Sequence, residues 1–272
     1  MCAANDTAAE TWTQSQLETA FSPAVLQAVR DFWFKDIADG NLILPAKETA
    51  GRWFRSNPDF DAECVANFNH QLSVAQSPVI TASDILAAAK PKSPLDWLSL
   101  LILLDQIPRN AFRGDEARRI FSQFDPKALD IALQAIAAGI PEQTPIRYRL
   151  SYRLWFYLPL QHSEDPKIQD MSIKEHAKMF EDARGLLEGM GEESDDKEDA
   201  QRCRDVYLTD SEGVERWAGM MMSFAQRHRD LIGRFGRYPH RNEVLGREMT
   251  EEEERFLAEG GETFGAKKVE GS

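Results

Sequence analysis

The chain of 272 residues carries 45 acidic against 32 basic side chains, a formal net charge of −13, and a hydrophobic content of 42% that is ordinary for a globular protein with a buried core. Such an excess of negative charge repels phosphate and argues against broad nonspecific binding to nucleic acid or to anionic membrane surfaces. The three cysteines, Cys2, Cys64 and Cys203, are too scattered for a zinc site or a disulfide framework, so a reducing, cytoplasmic setting is expected.

The opening "MCAANDTAAETW" has no basic segment followed by an apolar core and does not read as a signal peptide. The longest apolar run, Trp97 to Leu104, falls far short of the about 20 residues that span a bilayer. Further along, helix starts recur as a capping side chain followed by proline: Ser22, Asn57, Ser93 and Asp125. Ser172 with Glu175, and Thr250 with Glu253, have the spacing of capping boxes. Gly40, Gly139 and Gly260 fall where helices should stop, and alternating strand patterns are missing. These signals predict an all-α fold of about nine or ten helices.

Between the predicted helices, "GNLILPAKETAGRWFRSNP" reads as a loop whose Trp53 and Phe54 plug a gap in the core. The acid-rich segment from about 189 to 215 reads as a loop insertion, since it holds few large apolar groups to offset its ordering entropy. The organisation expected is a flexible N-terminus over 1–20, one helical domain over 21–265, and a flexible tail over 266–272.

Three polar turns follow apolar helices. The first, "DQIPRNAFRG", places Asp105 and Gln106 at the end of a helix apolar on nearly every side, then Pro108, which should break it, then Arg109, Asn110 and Arg113. A carboxylate at the end of a buried helix needs a cationic partner close by. The second is "LPLQHSEDP", with His162, Glu164 and Asp165; its spacing is not diagnostic of a metal site. The third, "PHRNEVLGRE", is entered from the stretch "QRHRDLIGRFGRYPHRN", which concentrates Arg227, Arg229, Arg234, Arg237 and Arg241 in an otherwise acidic chain, with His228 on the apolar face of its helix and Gly236 ending it.

The segments "AVRDFWF", "RWFRSNPDFD", "LSLLILLDQIPRNAFRG", "FYLPLQHSED", "KMFE" and "RHRDLIGRFGRYPHRNEVLGRE" together resemble the mostly bacterial family called domain of unknown function 924. The resemblance implies a tetratricopeptide-like stack, a right-handed superhelix, although the chain lacks that repeat's clean period of about 34 residues. It implies no reaction. The acidic segment departs from the family's pattern, so no role for it is inherited.

Two functions fit the residues. In one, the arginines pair with carboxylates as a structural latch, and the protein is an interaction scaffold for a protein or peptide partner. In the other, the turns converge on a small anionic metabolite, which the protein binds or hydrolyses. Arg109, Arg237 and Arg241 then clamp its oxygens, Gln106, Asn110, Arg113, His162 and Asn242 line the site, and His228 or His240 serves as acid or base oriented by Asp105 or Asp230. No nucleophile elbow or glycine-rich phosphate loop occurs, and no metal or cofactor is expected.

Overall fold

The computed structural model describes residues 12–55, 57–190 and 196–265. The fold is all-α, with no strand among the described residues. The chain opens with α1 (Gln14–Ala20), α2 (Pro23–Trp33), α3 (Asp39–Ile43), α4 (Lys47–Phe54), α5 (Pro58–Ala75), α6 (Ala82–Ala89) and α7 (Pro94–Leu101). There follow α8 (Ile107–Ala111), α9 (Ala117–Arg119), α10 (Asp125–Ala137), α11 (Leu150–Arg153), α12 (Leu158–Gln161) and the long α13 (Pro166–Leu187). The C-terminal part is α14 (Lys197–Thr209), α15 (Ser211–Phe235), α16 (Asn242–Leu245) and α17 (Glu251–Ala258). None of the described helices is long and apolar enough to cross a membrane.

The expected punctuation holds where the side chain meets free backbone donors. Asn57 accepts from the amides of Asp59 and Phe60, and capping boxes form at Ser93 with Asp96 and at Thr250 with Glu253. Gly139, Gly236 and Gly260 take the left-handed conformation that ends α10, α15 and α17. Other signals are overruled. Ser22 makes no side-chain cap bond, Gly40 lies inside α3, and Ser172 is buried mid-helix in α13, whose cap is Asp165. The stretch "GNLILPAKETAGRWFRSNP", expected as a loop, folds largely into α3 and α4, because Leu42, Ile43, Ala50 and Trp53 all find apolar cover. Likewise the acidic insertion supplies α14, which buries Ala200, Cys203 and Tyr207 and pairs Asp199 with Arg149. Residues 191–195, the N-terminal 1–11 and the tail 266–272 lie outside the described residues.

The structure also divides the sequence more finely than the about nine or ten helices expected. Two causes are π-turns, Ile102–Gln106 between α7 and α8 and Ile120–Phe124 between α9 and α10. Each stands just ahead of a proline, Pro108 or Pro126, that sits second in the next helix. A proline ring clashes with the carbonyl four residues earlier, here Leu104 or Ser122, and each carbonyl lies within the widened turn. Pro108 therefore does not break the helix. The chain runs on through a wider turn, and the residues beside it are rotated to a new face.

The core centres on Trp33, Trp53 and Trp155, with Trp155 meeting the other two edge to face at centroid distances of 5.4 and 5.2 Å. A smaller apolar cluster of Leu231, Ile232 and Tyr238, with Phe235, Phe256 and Phe264 against it, joins the C-terminal segment to α15. Trp53 is 5% exposed and donates its indole N–H to the Trp33 carbonyl, whereas its neighbour Phe54 is 49% exposed. Only the first of the two expected plugs is buried. Trp53→Ala should therefore cost about 3–5 kcal/mol of unfolding free energy and Phe54→Ala under about 1 kcal/mol, measured by urea denaturation.

Candidate functional site

The basic stretch is paired throughout. Arg227 meets Glu262, Arg229 meets Asp170, Arg234 meets Glu252, Arg237 meets Glu253, Arg241 lies beside Asp125, and Arg247 grips Glu164. The first three pairs are exposed and individually weak. Arg237 and Glu253 are different. The guanidinium donates twice to the carboxylate, both bonds at 2.7 Å, and the Glu253 side chain is only 2% exposed. Asn242, fully buried, and the Thr250 amide donate to the same carboxylate. The hydrogen bond from Arg237 leads the effects that hold the Glu253 carboxyl down at about 2. Arg237 and Asn242, expected on a ligand, thus fasten α16 and α17 to the end of α15.

A second network is built on the two π-turns. The first delivers Asp105, buried, with Gln106 donating to it. Arg109, one turn on, places Nη2 between two carboxylates, 3.4 Å from Asp105 and 2.7 Å from Asp125. Asp125 was expected to cap α10. Because the second π-turn runs unbroken into that helix, the amides there are already satisfied and the carboxylate is left for Arg109. From α12, His162 brings Nδ1 to 2.7 Å from Asp105 Oδ1. Burial opposes charge on Asp105, yet Arg109 and His162 hold its carboxyl at about 2. An ionised carboxylate only accepts, so the imidazole proton sits on Nδ1 and Nε2 carries the lone pair. Burial, and then the Arg109 charge, lower the His162 pKa below 6.5 and keep the ring neutral.

This imidazole, 17% exposed, lines a cleft of about 230 Å³ together with Phe121, Pro126, Leu129, Pro159, Glu164 and Arg241. The Arg241 guanidinium is held between the rings of Phe121 and Tyr238, 4.5 and 4.4 Å from their centroids. Its Nη1 donates to the His162 carbonyl at 3.0 Å. Among the described residues, neither Arg241 Nη2 nor His162 Nε2 has a protein partner, and neither atom is sealed from solvent. Asp105, Asp125 and His162 also offer ligand atoms within 4.8 Å of one another, a donor set that suits a divalent cation. Here the Arg109 guanidinium fills the cation's role between the carboxylates, with Arg241 3.5 Å from Asp125.

The remaining expected histidines stay close, the His228 ring 6.5 Å from that of His162, but turn to other partners, and Asp230 and Arg113 pair elsewhere. His228 lies under Phe264, ring centroids 3.5 Å apart, and donates Nδ1–H to the Phe224 carbonyl. His240 stands between Tyr238 and Phe264 with a buried, unpartnered Nδ1. Neither is oriented by Asp105, which takes His162 instead. Asp230 is exposed and accepts from Gln226, so it orients no histidine. Arg113 turns away to Asp61, and Asn110 spans the Gln106 carbonyl and Arg113. Sequence reasoning missed Asp125, because it resembles a cap, and Glu253, because its burial depends on Arg237. The acid at Glu164 carried a signal, its place beside His162, but its partner Arg247 is distant in sequence.

Burial holds His228 and His240 at about 3 and His176 at about 4, all below the free value of 6.5. The unfolded chain therefore binds more protons, and stability present above pH 6.5 is lost as pH falls toward those folded values. Urea midpoints should already decline between pH 6.5 and 4.5, before depressed carboxylates such as Glu253 titrate. A flat profile over that window would mean these rings are not buried. Glu253→Ala should cost about 3 kcal/mol by loss of charged hydrogen bonds, against under about 1 kcal/mol for Arg234→Ala, read from the same denaturation.

The comparisons with known proteins agree with the fold and give no reaction. A solved structure of a protein of unknown function from Agrobacterium tumefaciens is similar at a TM-score of 0.53 and 27% identity, covering 87% of this chain and 98% of that one. No curated protein matches. The model of the family described as "Bacterial protein of unknown function (DUF924)" matches residues 29–261, nearly the whole of the described helical domain, and the chain belongs to that family.

Proposed function

We propose that the protein binds a small molecule in the cleft between α10 and α12, with His162 as its acid–base group and Arg241 as its hydrogen-bond donor. The observation that carries this reading is the His162 to Asp105 contact of 2.7 Å: a buried, ionised carboxylate fixes the tautomer of a neutral imidazole that lines the cleft. A base oriented by a carboxylate, beside an unengaged guanidinium nitrogen, is the arrangement needed to bind an oxygen acceptor and move a proton. Its volume, about 230 Å³, is below the about 300–1,000 Å³ of sites for drug-sized ligands, so the ligand is small. Buried thiols at Cys64 and Cys203 suit a reducing, cytoplasmic setting.

The second reading is the interaction scaffold, in which the cluster serves only to hold helices. It is favoured by the charge balance: Asp105, Asp125 and Glu164 against Arg109, Arg241 and Arg247. Thermal unfolding against a panel of small carboxylates, phosphates, esters and amides separates the two. A ligand at 100 times its dissociation constant adds about 2.7 kcal/mol, a shift of several degrees. The expected result is stabilisation by a subset of the panel that is lost in His162→Asn and kept in Arg237→Ala. Stabilisation by nothing in the panel would leave the scaffold.

A further inference from the structure

The cleft has two unlike walls. Phe121, Pro126, Leu129 and Pro159 form an apolar side, while His162, Asp125, Glu164 and Arg241 form the other. The carboxylates decide what charge can enter. Glu164 is held by two bonds from Arg247, at 2.7 and 3.0 Å, and by the Tyr238 amide. Asp125 is held by Arg109 and Arg241. Once these pairs are made, Arg241 Nη2 is, among the described residues that line the cleft, the guanidinium nitrogen with no protein partner that is not sealed from solvent, and two carboxylates still stand beside it. A phosphate dianion would meet more negative charge than it could pair, at short range and out of bulk water. A neutral carbonyl needs only one donor for its oxygen, and its carbon chain has the apolar wall to lie on.

From this we infer that the cleft takes a neutral ester of a short apolar acid and hydrolyses it, with His162 as the catalytic base, Arg241 as the oxyanion donor and Asp105 as a positioning residue. This rests on the small-molecule reading above. Water held at His162 Nε2 gives that atom its proton as its oxygen bonds to the carbonyl carbon. The carbonyl π electrons move to oxygen, and the oxyanion faces Arg241 Nη2. On collapse the bond from carbon to the leaving oxygen breaks, and the imidazolium returns the proton to that oxygen. Ester and water become acid and alcohol, with no oxidant or reductant. The neutral resting state of His162 suits the first step, and the Asp105 carboxylate stabilises the imidazolium formed in it. Asp125 and Glu164, which disfavour an anionic substrate, also repel the carboxylate product and aid its release.

The test uses the full chain with p-nitrophenyl butyrate as substrate, and butyramide as a neutral acyl ligand read by thermal unfolding. The variants are His162→Asn, whose amide keeps a donor toward Asp105 while deleting the Nε2 base, and Arg241→Lys. Saturable hydrolysis that falls on the order of 10²- to 10⁴-fold in His162→Asn, with its unfolding curve still cooperative, is the expected result. Asp105→Asn should shift the acid limb of the rate profile to lower pH, because the imidazolium loses its carboxylate; a merely structural role would lower rate and stability without moving that limb. Stabilisation by butyramide without hydrolysis would overturn the ester assignment and leave the binding site standing. Hydrolysis unchanged in His162→Asn would overturn it as well, by placing the activity elsewhere. Absence of both hydrolysis and stabilisation by any compound would overturn this assignment and the small-molecule reading together.

Discussion

The guanidinium of Arg109 is the group on which the middle of this molecule depends. It lies at the junction of two helices that both pass through a π-turn, and it reaches one carboxylate from each, Asp105 and Asp125. Two buried carboxylates so close together would repel each other strongly in a medium of low dielectric, and one of them would take up a proton. With Arg109 between them Asp105 stays ionised, its carboxyl held at about 2. That charge in turn decides which nitrogen of His162 carries the proton. The chemistry available in the cleft thus follows from one cation placed by local helix geometry.

Proline is the remote cause of that placement. In an ordinary α-helix the rings of Pro108 and Pro126 would collide with the carbonyls four residues before them. Widening each turn relieves the collision while keeping the helix continuous, and it rotates the residues beside it by part of a turn. Asp105 and Gln106 come to lie inside the structure, on a helix whose other faces are filled with leucine and isoleucine. A helix that stopped at the proline would have left these groups in a solvated turn, with water as the partner of both and no nearby charge to depress the Asp105 carboxyl.

The C-terminal segment solves a different problem. Its apolar cluster around Leu231, Ile232 and Tyr238 is small, and burial of so few side chains holds a segment weakly. Ion pairs supply the remainder, and they differ in worth: exposed pairs such as Arg234 with Glu252 add little, while the doubly bonded Arg237 and Glu253, with Asn242 and Thr250 converging on one carboxylate, hold α17 in place. The positive charge of this stretch is therefore answered by carboxylates of the chain itself, and among the described residues Arg241 is the one of these arginines that lines the cleft.

The sequence by itself determined the fold class, because helix caps, prolines at helix starts and apolar residues at helical spacing are local signals read within a few residues. It also marked the right turns: Asp105, Arg109, His162 and Arg241 all stand in segments whose polarity clashes with the apolar helices before them. Local signals failed where burial decided the outcome. The acidic segment became α14 because three side chains, Ala200, Cys203 and Tyr207, found cover that composition cannot reveal. Ser172 had a capping spacing but lies inside a helix that already began at Asp165. Only the tertiary structure assigned partners. His162 and Asp105 are 57 positions apart, Arg247 and Glu164 are 83 apart, and nothing in either neighbourhood names the other. Charge attracts any opposite charge within reach, so which carboxylate meets which guanidinium, and which histidine is left with a lone pair facing a cleft, is settled by packing alone.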